Sequence, residues 1–430
     1  MKRIVFIFLI ISSISGETLT LKQCIEMALE KNEDIVFLKN ICESSKSKVM
    51  ESASGFWPQI SANFLASRSV SPLSTTFGNA ISSFPGLSED IDVTTYRFGF
   101  SAQQNVWDFG RTLSILRQAT LNEELSYLRY EKKKMEISYN VKKAYYSLLQ
   151  AKAMEQITLL TLKEVEHLLE LVKERQEQGM AIMIDVLNAE TEYFKFKLEV
   201  EKASHNRELA EESLLRIIGK PIDSKIEIKE ENFPEPEEFP LGMKTFEEYK
   251  NAVLISKIDL KEVEIEREIS KIGLDMANSD WWPSIGASAS YEWTDTKFFP
   301  QKPSWNIGLS ITIPIFRGFS RLAKVELANY DLENAEIKKK NLISTIMIQA
   351  KSNYYKVLEN KKSYDLAVKK ENYLKNNFEA VNAKYNEGLS TITELIEAQT
   401  KKLSSGLEKQ QLLYNYYISL SELEYDLNKY

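Results

Sequence analysis

Two spacings of hydrophobic and polar positions alternate along the chain. From Leu21 to Ser54, Ile25, Ala28, Leu29, Ile35 and Leu38 recur at helical intervals among charges, and Gly55 ends the pattern. After Phe56-Trp57-Pro58 the period falls to two, with Ile60, Ala62, Phe64 and Ala66 on one face and Ser61, Asn63 and Ser67 on the other. This predicts a strand, in which Pro58 fits only the first residue. Ser69 to Val93 is rich in Ser, Thr, Pro and Gly and reads as a loop, after which Tyr96, Phe98, Phe100 and Ala102 line one face of a second strand. Thr112 to Gln178 holds no Gly and no Pro, which predicts one helix of 67 residues. At ~1.5 Å per residue it would run roughly 100 Å. Inside it Thr158, Leu162, Val165, Leu169 and Val172 are spaced 4, 3, 4, 3, a coiled-coil seam. Gly179 marks a turn, Ala181 to Ile217 is helical again, and Gly219-Lys220-Pro221 stops it.

The pattern then repeats. Thr20, Asp34, Trp57, Pro58, Ile60 and Ala62 recur 225 residues later as Thr245, Asp259, Trp282, Pro283, Ile285 and Ala287. Tyr145, Tyr146, Gly179 and Ala189 recur 209 residues later as Tyr354, Tyr355, Gly388 and Ala398. The offset changes once, by sixteen, inside the strand-to-strand loop, as tandem duplication of one folding unit would leave it. The expected organisation is a signal peptide over 1–16, a first repeat over 17–218, an acidic Pro-containing linker over 219–243 and a second repeat over 244–430. In each repeat the two shorter helices together match the length of the uninterrupted one. The second strand pair is the cleaner: Ile285, Ala287, Ala289, Tyr291 and Trp293 alternate with small polar residues, as do Trp305, Ile307, Leu309, Ile311 and Ile313.

Charge and termini narrow the setting. Met1-Lys2-Arg3, the apolar run Ile4 to Ile11, and Ser13 and Ser15 form a secretory signal, too short to span a bilayer. The net charge of −7, with both signs interspersed, argues against a nucleic-acid partner. Cys24 and Cys42 lie eighteen residues apart on one predicted helix and cannot bridge, so they read as core or interface thiols. Neither His167 nor His205 has a ligand at i+4 or a nucleophile beside it, and no glycine-rich phosphate loop precedes a helix. No enzyme chemistry, cofactor or metal is expected.

Strand length decides how the sheet is used. Strands of about ten residues cross a bilayer when tilted, yet four cannot close a barrel that needs about eight or more. In a soluble sandwich the alternation means core against water; in a membrane barrel it means lipid against an aqueous lumen, and several copies must then contribute. Trp57, Trp282, Trp293 and Trp305 fall at strand ends, where an aromatic girdle marks a membrane boundary; packing aromatics at strand–helix junctions would give the same pattern.

In their order, Leu19-Thr20-Leu21 with Ala28-Leu29 and Asn32, Trp57-Pro58 with Trp282-Pro283, Phe109-Gly110-Arg111, Pro314-Ile315-Phe316-Arg317-Gly318 and the two glycine turns resemble the TolC-type outer-membrane efflux family. The resemblance covers Leu19 to Asp426. It implies a mainly α fold with β: a long helical coiled-coil barrel joined to a transmembrane β-barrel that a homotrimer forms with four strands per protomer. It implies an outer-membrane channel-tunnel reaching into the periplasm, held by outer-membrane lipid. Such a channel exports passively from an inner-membrane pump through a periplasmic membrane-fusion adaptor, in efflux or type I secretion. By the same resemblance the adaptor docks on the glycine turns, at Gly179, Met180, Asp185, Val186, Leu187, Gly388, Leu389 and Leu395. Glu394 and Glu397, one helical turn apart, stand where the family rings its periplasmic constriction, although a solvated first turn would also carry acids. Asp185 and Tyr385 stand where the family has a closed-state latch; its companion arginine after the second glycine is absent, with Ser390 in place, and Tyr385 also continues the seam of Leu374, Phe378 and Val381. A structural coiled-coil protein of the cell surface is the alternative, which explains the heptads but not the strand pairs.

Overall fold

Each repeat opens with a helix that breaks once, at the same place. The computed structural model describes residues 18–71, 91–224, 226–229, 234–237 and 240–429; the signal-peptide reading, most of the Ser69 to Val93 loop and parts of the linker lie outside them. Where the spacing predicts a single helix over Leu21 to Ser54, the chain forms α1 (Leu21–Lys31) and α2 (Glu33–Ala53), and the corresponding stretch of the second repeat forms α5 (Phe246–Ser256) and α6 (Ile258–Ser279). Asn32 (ψ 125°) and Lys257 (ψ 118°) are the interrupting residues, 225 apart, and each swings one peptide out of the helical ladder. Asn32 Oδ1 caps the restart by accepting the Asp34 N–H at 2.9 Å. The equivalent Thr20 and Thr245 cap α1 and α5, their hydroxyls accepting the N–H of Gln23 and Glu248 at 3.3 Å.

The remaining elements follow the predicted order. Strands β2 (Gln59–Ser71) and β3 (Ile91–Trp107) lead into α3 (Arg111–Glu177) and α4 (Met183–Ile217). Strands β5 (Ser284–Asp295) and β6 (Pro303–Thr312) lead into α7 (Ser320–Asn386) and α8 (Ile392–Asp426). Both uninterrupted helices have the expected 67 residues, whereas β2 and β3, at 13 and 17, outrun the expected ten. The fold is mainly α with β. No described helix is long and apolar enough to cross a membrane.

By contacts the chain forms two compact units, to both of which each repeat contributes. One comprises residues up to Lys39, Arg129–Leu260 and Asn341–Tyr430. Its core is unusually rich in tyrosine, including the repeat partners Tyr145 and Tyr354. Tyrosine keeps ring area in the core while its hydroxyl needs a partner, and here the partners are linker backbone. Tyr145 donates to Lys229 O at 2.9 Å, Tyr354 to Met243 O at 3.4 Å and Tyr417 to Pro234 O, while Tyr416 accepts the Glu237 N–H at 3.1 Å. The linker thus lies on the helices, and its β4 (Glu227–Ile228) pairs in parallel with β1 (Thr18–Leu19). Near the end of α8, buried Asp426 accepts from Tyr249 Oη (2.8 Å), Asn353 Nδ2 (2.8 Å) and Lys257 Nζ (2.6 Å). The break at Lys257 is what brings that ammonium to the carboxylate. Cys24 and Cys42 are both buried free thiols, and burial pushes the Cys24 thiol up to about 11.

The other unit, Asn40–Leu128 with Lys261–Lys340, is built on one antiparallel sheet in the order β2-β3-β5-β6. Its register puts all four predicted apolar faces on one side: Ile60 opposite Ala102, Ala102 opposite Ala289, and Ala289 opposite Ile307. Trp305, Ile307 and Leu309 are exposed at 73%, 76% and 69%. On the other face Ser61 and Ser101 hydroxyls meet at 2.8 Å and Arg97 pairs with Glu292 at 3.5 Å. Trp57 and Trp282 stand at the helix end of the sheet, exposed; Trp305 and half-buried Trp293, stacked on Phe98 with centroids 5.7 Å apart, stand at the far end.

Candidate functional site at the paired helical turns

Gly179 and Gly388 close α3 and α7 in the same way. Both are left-handed, at φ +76° and +75°. In each, the next N–H reaches five residues back, Met180 to Arg175 O at 2.7 Å and Leu389 to Lys384 O at 2.8 Å, which is the Schellman arrangement. The chain then re-enters a helix through an acid at the third position. Asp185 Oδ2 accepts the Ile182 N–H at 3.2 Å, and Glu394 Oε2 accepts the Thr391 N–H at 3.1 Å while Thr391 Oγ1 accepts the Glu394 N–H.

The two hairpins share one small core: Leu168, Leu169, Val172, Val186 and Ala189 meet Tyr385, Ile392 and Leu395. The heptad seam read in α3 therefore ends here, with Val172 fully buried. Val186 and Leu395, expected at a docking surface, face this core instead, at 6% and 2% exposure. The helical phase explains it, since the fourth helical residue after each turn points inward. Met180, Leu187 and Leu389 are exposed. Ile182, Met183 and Ile184, which sequence reasoning passed over, are exposed with them, so the first turn carries a run of open apolar side chains.

Tyr385 is buried, and its partner is one the sequence reading missed. The Arg175 guanidinium lies 4.6 Å from the Tyr385 ring centroid and donates to Tyr385 O at 3.1 Å and Asn386 O at 3.4 Å. One cation thus covers the ring and serves the last carbonyls of α7, where a positive charge also suits the helix dipole. Burial raises the Tyr385 phenol above its usual value; Arg175 opposes this and the Asp185 charge adds to it, so Asp185 lies within electrostatic reach. The only available signal in sequence was a lone arginine four residues before the glycine.

Glu394 and Glu397 are both exposed, one turn apart on α8. Glu394 is engaged in the cap described above. Glu397 accepts from Lys401 Nζ at 2.7 Å, and this contact lowers its pKa. Within the chain the second carboxylate is therefore neutralised by a neighbour, a cation that the sequence reading did not weigh. His167 and His205 are exposed, and no group of three metal-ligating side chains occurs among the described residues.

The model of the outer membrane efflux protein family matches residues 24–220 and 251–428. The chain belongs to that family. Among relatives of this chain, TolC of Escherichia coli is 20% identical over 333 residues, covering 74% of this chain and 66% of TolC. The alkaline protease secretion protein AprF of Pseudomonas aeruginosa is 20% identical over 362 residues, covering 79% of this chain and 68% of AprF. The aligned part thus spans about two thirds of these relatives' length. The crystal structure of the transmembrane channel CusC superposes with a TM-score of 0.84 at 16% identity, covering 96% of this chain and 93% of that one, which establishes a shared fold. Family members are outer-membrane channel proteins, and this chain is an outer-membrane protein extending into the periplasm.

Proposed function

We propose that this efflux-family chain is the outer-membrane duct of an efflux or type I secretion system. It assembles as a homotrimer, is fed by an inner-membrane pump through a periplasmic membrane-fusion adaptor, and performs no catalysis. One observation carries the reading: an apolar sheet face exposed across four strands, with β2 and β6 as open edges. Exposed apolar area of this extent calls for a cover, and unpaired edges call for strands. Lipid covers the face, and pairing β6 of one copy with β2 of the next closes twelve strands. A surface coiled coil leaves both without an occupant.

The turns form the periplasmic end of the duct. Met180, Leu187, Leu389 and the Ile182 to Ile184 run receive the adaptor, on a backbone set by Gly179 and Gly388. Glu394 and Glu397 ring the constriction, and Asp185, Tyr385 and Arg175 tie the hairpins in the closed state. Pairs of cysteines placed along β2 and β6 test the assembly. Oxidation should link copies into a species of three that runs faster unheated than boiled on detergent gels. A monomer that never links, or a ladder beyond three, would contradict the trimer.

A further inference from the structure

The junctions between helices and strands carry a cation cluster that the duct itself does not use. Asp280, between α6 and β5, has a side chain only 6% exposed and receives both Arg111 and Lys324, the latter at 2.8 Å. Burial would raise its carboxyl; the Lys324 hydrogen bond and the charges of Arg111, Lys324 and Arg317 outweigh that and hold it low. Two cations thus pair with one carboxylate, with the Arg317 charge in electrostatic reach, and the heads of Arg111 and Lys324 remain half-exposed. One turn before Lys324, Arg321 is 7% exposed, with its guanidinium 4.5 Å from the Trp281 ring centroid and one hydrogen bond to Ile315 O. No acid pairs with Arg321 among the described residues. A buried guanidinium held only by a ring and a carbonyl lacks a counter-charge.

The signs are also wrong for the helix. Cations in the first turn of α7 oppose the macrodipole, and neither α3 nor α7 has an acid in its first turn. The repeat does not require the cluster: Gly55 stands at the position of Asp280, and Thr112 and Ile115 at those of Arg321 and Lys324. Beside it a cleft of about 560 Å³ is lined by Met276 and Leu327 together with Arg111, Lys324 and Asp280, and by Asp331 as a second acid. The cluster lies where the apolar sheet face ends. There Phe109 stacks on Trp282 with centroids 5.1 Å apart, and Ile315, Phe316 and Phe319 are exposed. Phe109 and Phe319 are both held left-handed, at φ 53° and 63°, a conformation bulky side chains rarely adopt.

We propose that this junction is a binding site for an anionic phospholipid of the periplasmic leaflet, with Arg111, Arg317 and Lys324 around the headgroup phosphate, the buried Arg321 charge behind them, and the adjoining aromatics against the acyl-chain boundary. The proposal rests on the membrane-barrel reading above. Charge complementarity and continuity with the lipid-facing sheet identify the occupant; a zwitterionic lipid would leave the excess charge unmet.

Native mass spectrometry of the detergent-purified protein tests it, with dioleoyl phosphatidylglycerol and dioleoyl phosphatidylcholine added at equal concentration. Wild type should retain the anionic lipid preferentially. Arg317→Gln, which leaves both Asp280 pairs intact, should reduce that preference about fivefold, and Arg317→Gln with Lys324→Gln by about fivefold again. Retained heat-modifiability confirms that the barrel is intact and separates failure here from failure of the duct reading. Equal retention of the two lipids by wild type, or an unchanged preference in Arg317→Gln, overturns the proposal. If inorganic phosphate at the lipid's concentration displaces it, the site binds phosphate and not lipid, which overturns it also.

Discussion

Lys401 changes what the carboxylates of α8 can do. A bare pair of stacked acidic rings would favour cations and oppose closure, but each Glu397 carries its own ammonium at 2.7 Å. Lys401→Ala should therefore raise the cation preference of the open pore, read as a shift in reversal potential under a salt gradient; no shift would show that Glu397 does not face the ion path. Arg175 is the second residue whose role depends on place. Arg175→Ala removes the cover of Tyr385 and the donors to the end of α7, and should lower thermal stability by about 1–2 kcal/mol. Tyr385→Phe keeps ring and seam and should change little at neutral pH. The phenol's folded value lies above its ordinary 10.0, so its contribution is complete below pH 10 and is lost as pH rises through the higher folded value. A wild-type tip that loosens below pH 10 through Tyr385 would contradict this.

At the element scale, what was legible followed from spacing. Period two gave four strands and the side each residue faces, because the pleat leaves no other choice. Absence of Gly and Pro gave both 67-residue helices. The breaks at Asn32 and Lys257 were not legible: neither is Gly or Pro, and one extended residue preserves the hydrophobic period on either side. Only tertiary partners expose the reason, since Lys257 reaches Asp426 from that kink. Lys257→Met should therefore cost about 3–5 kcal/mol by leaving a buried carboxylate uncompensated, and denaturant unfolding would detect it. The turns were legible as glycines, and their cost can be isolated. A Cβ at Gly388 would meet nothing within 4 Å, so Gly388→Ala should cost only the left-handed strain, about 1 kcal/mol, and Gly388→Asn less. Equal stability of all three proteins would mean that the turn relaxes.

For the molecule as a whole, the order of motifs and the duplication carried the family, while the site was legible only in part. Gly179 and Gly388 could be placed by position in the repeat, and Glu394 and Glu397 by the family resemblance alone. Arg175 and Lys401 could not, because a lone cation in a polar helix looks the same whether it is solvated or bound. The burial of Val186 and Leu395 was not legible for a related reason: apolar residues beside a turn belong to core or surface according to helical phase, which a shift of one residue in the helix start reverses. What remains to be measured is passage. Single-channel conductance of the purified protein in a planar bilayer, wild type beside Glu394→Ala with Glu397→Ala, tests the central claim most directly. Wild type should insert and conduct weakly with cation preference, and the double variant should conduct more and lose that preference. A protein that never inserts, or that inserts without conducting, would contradict the account.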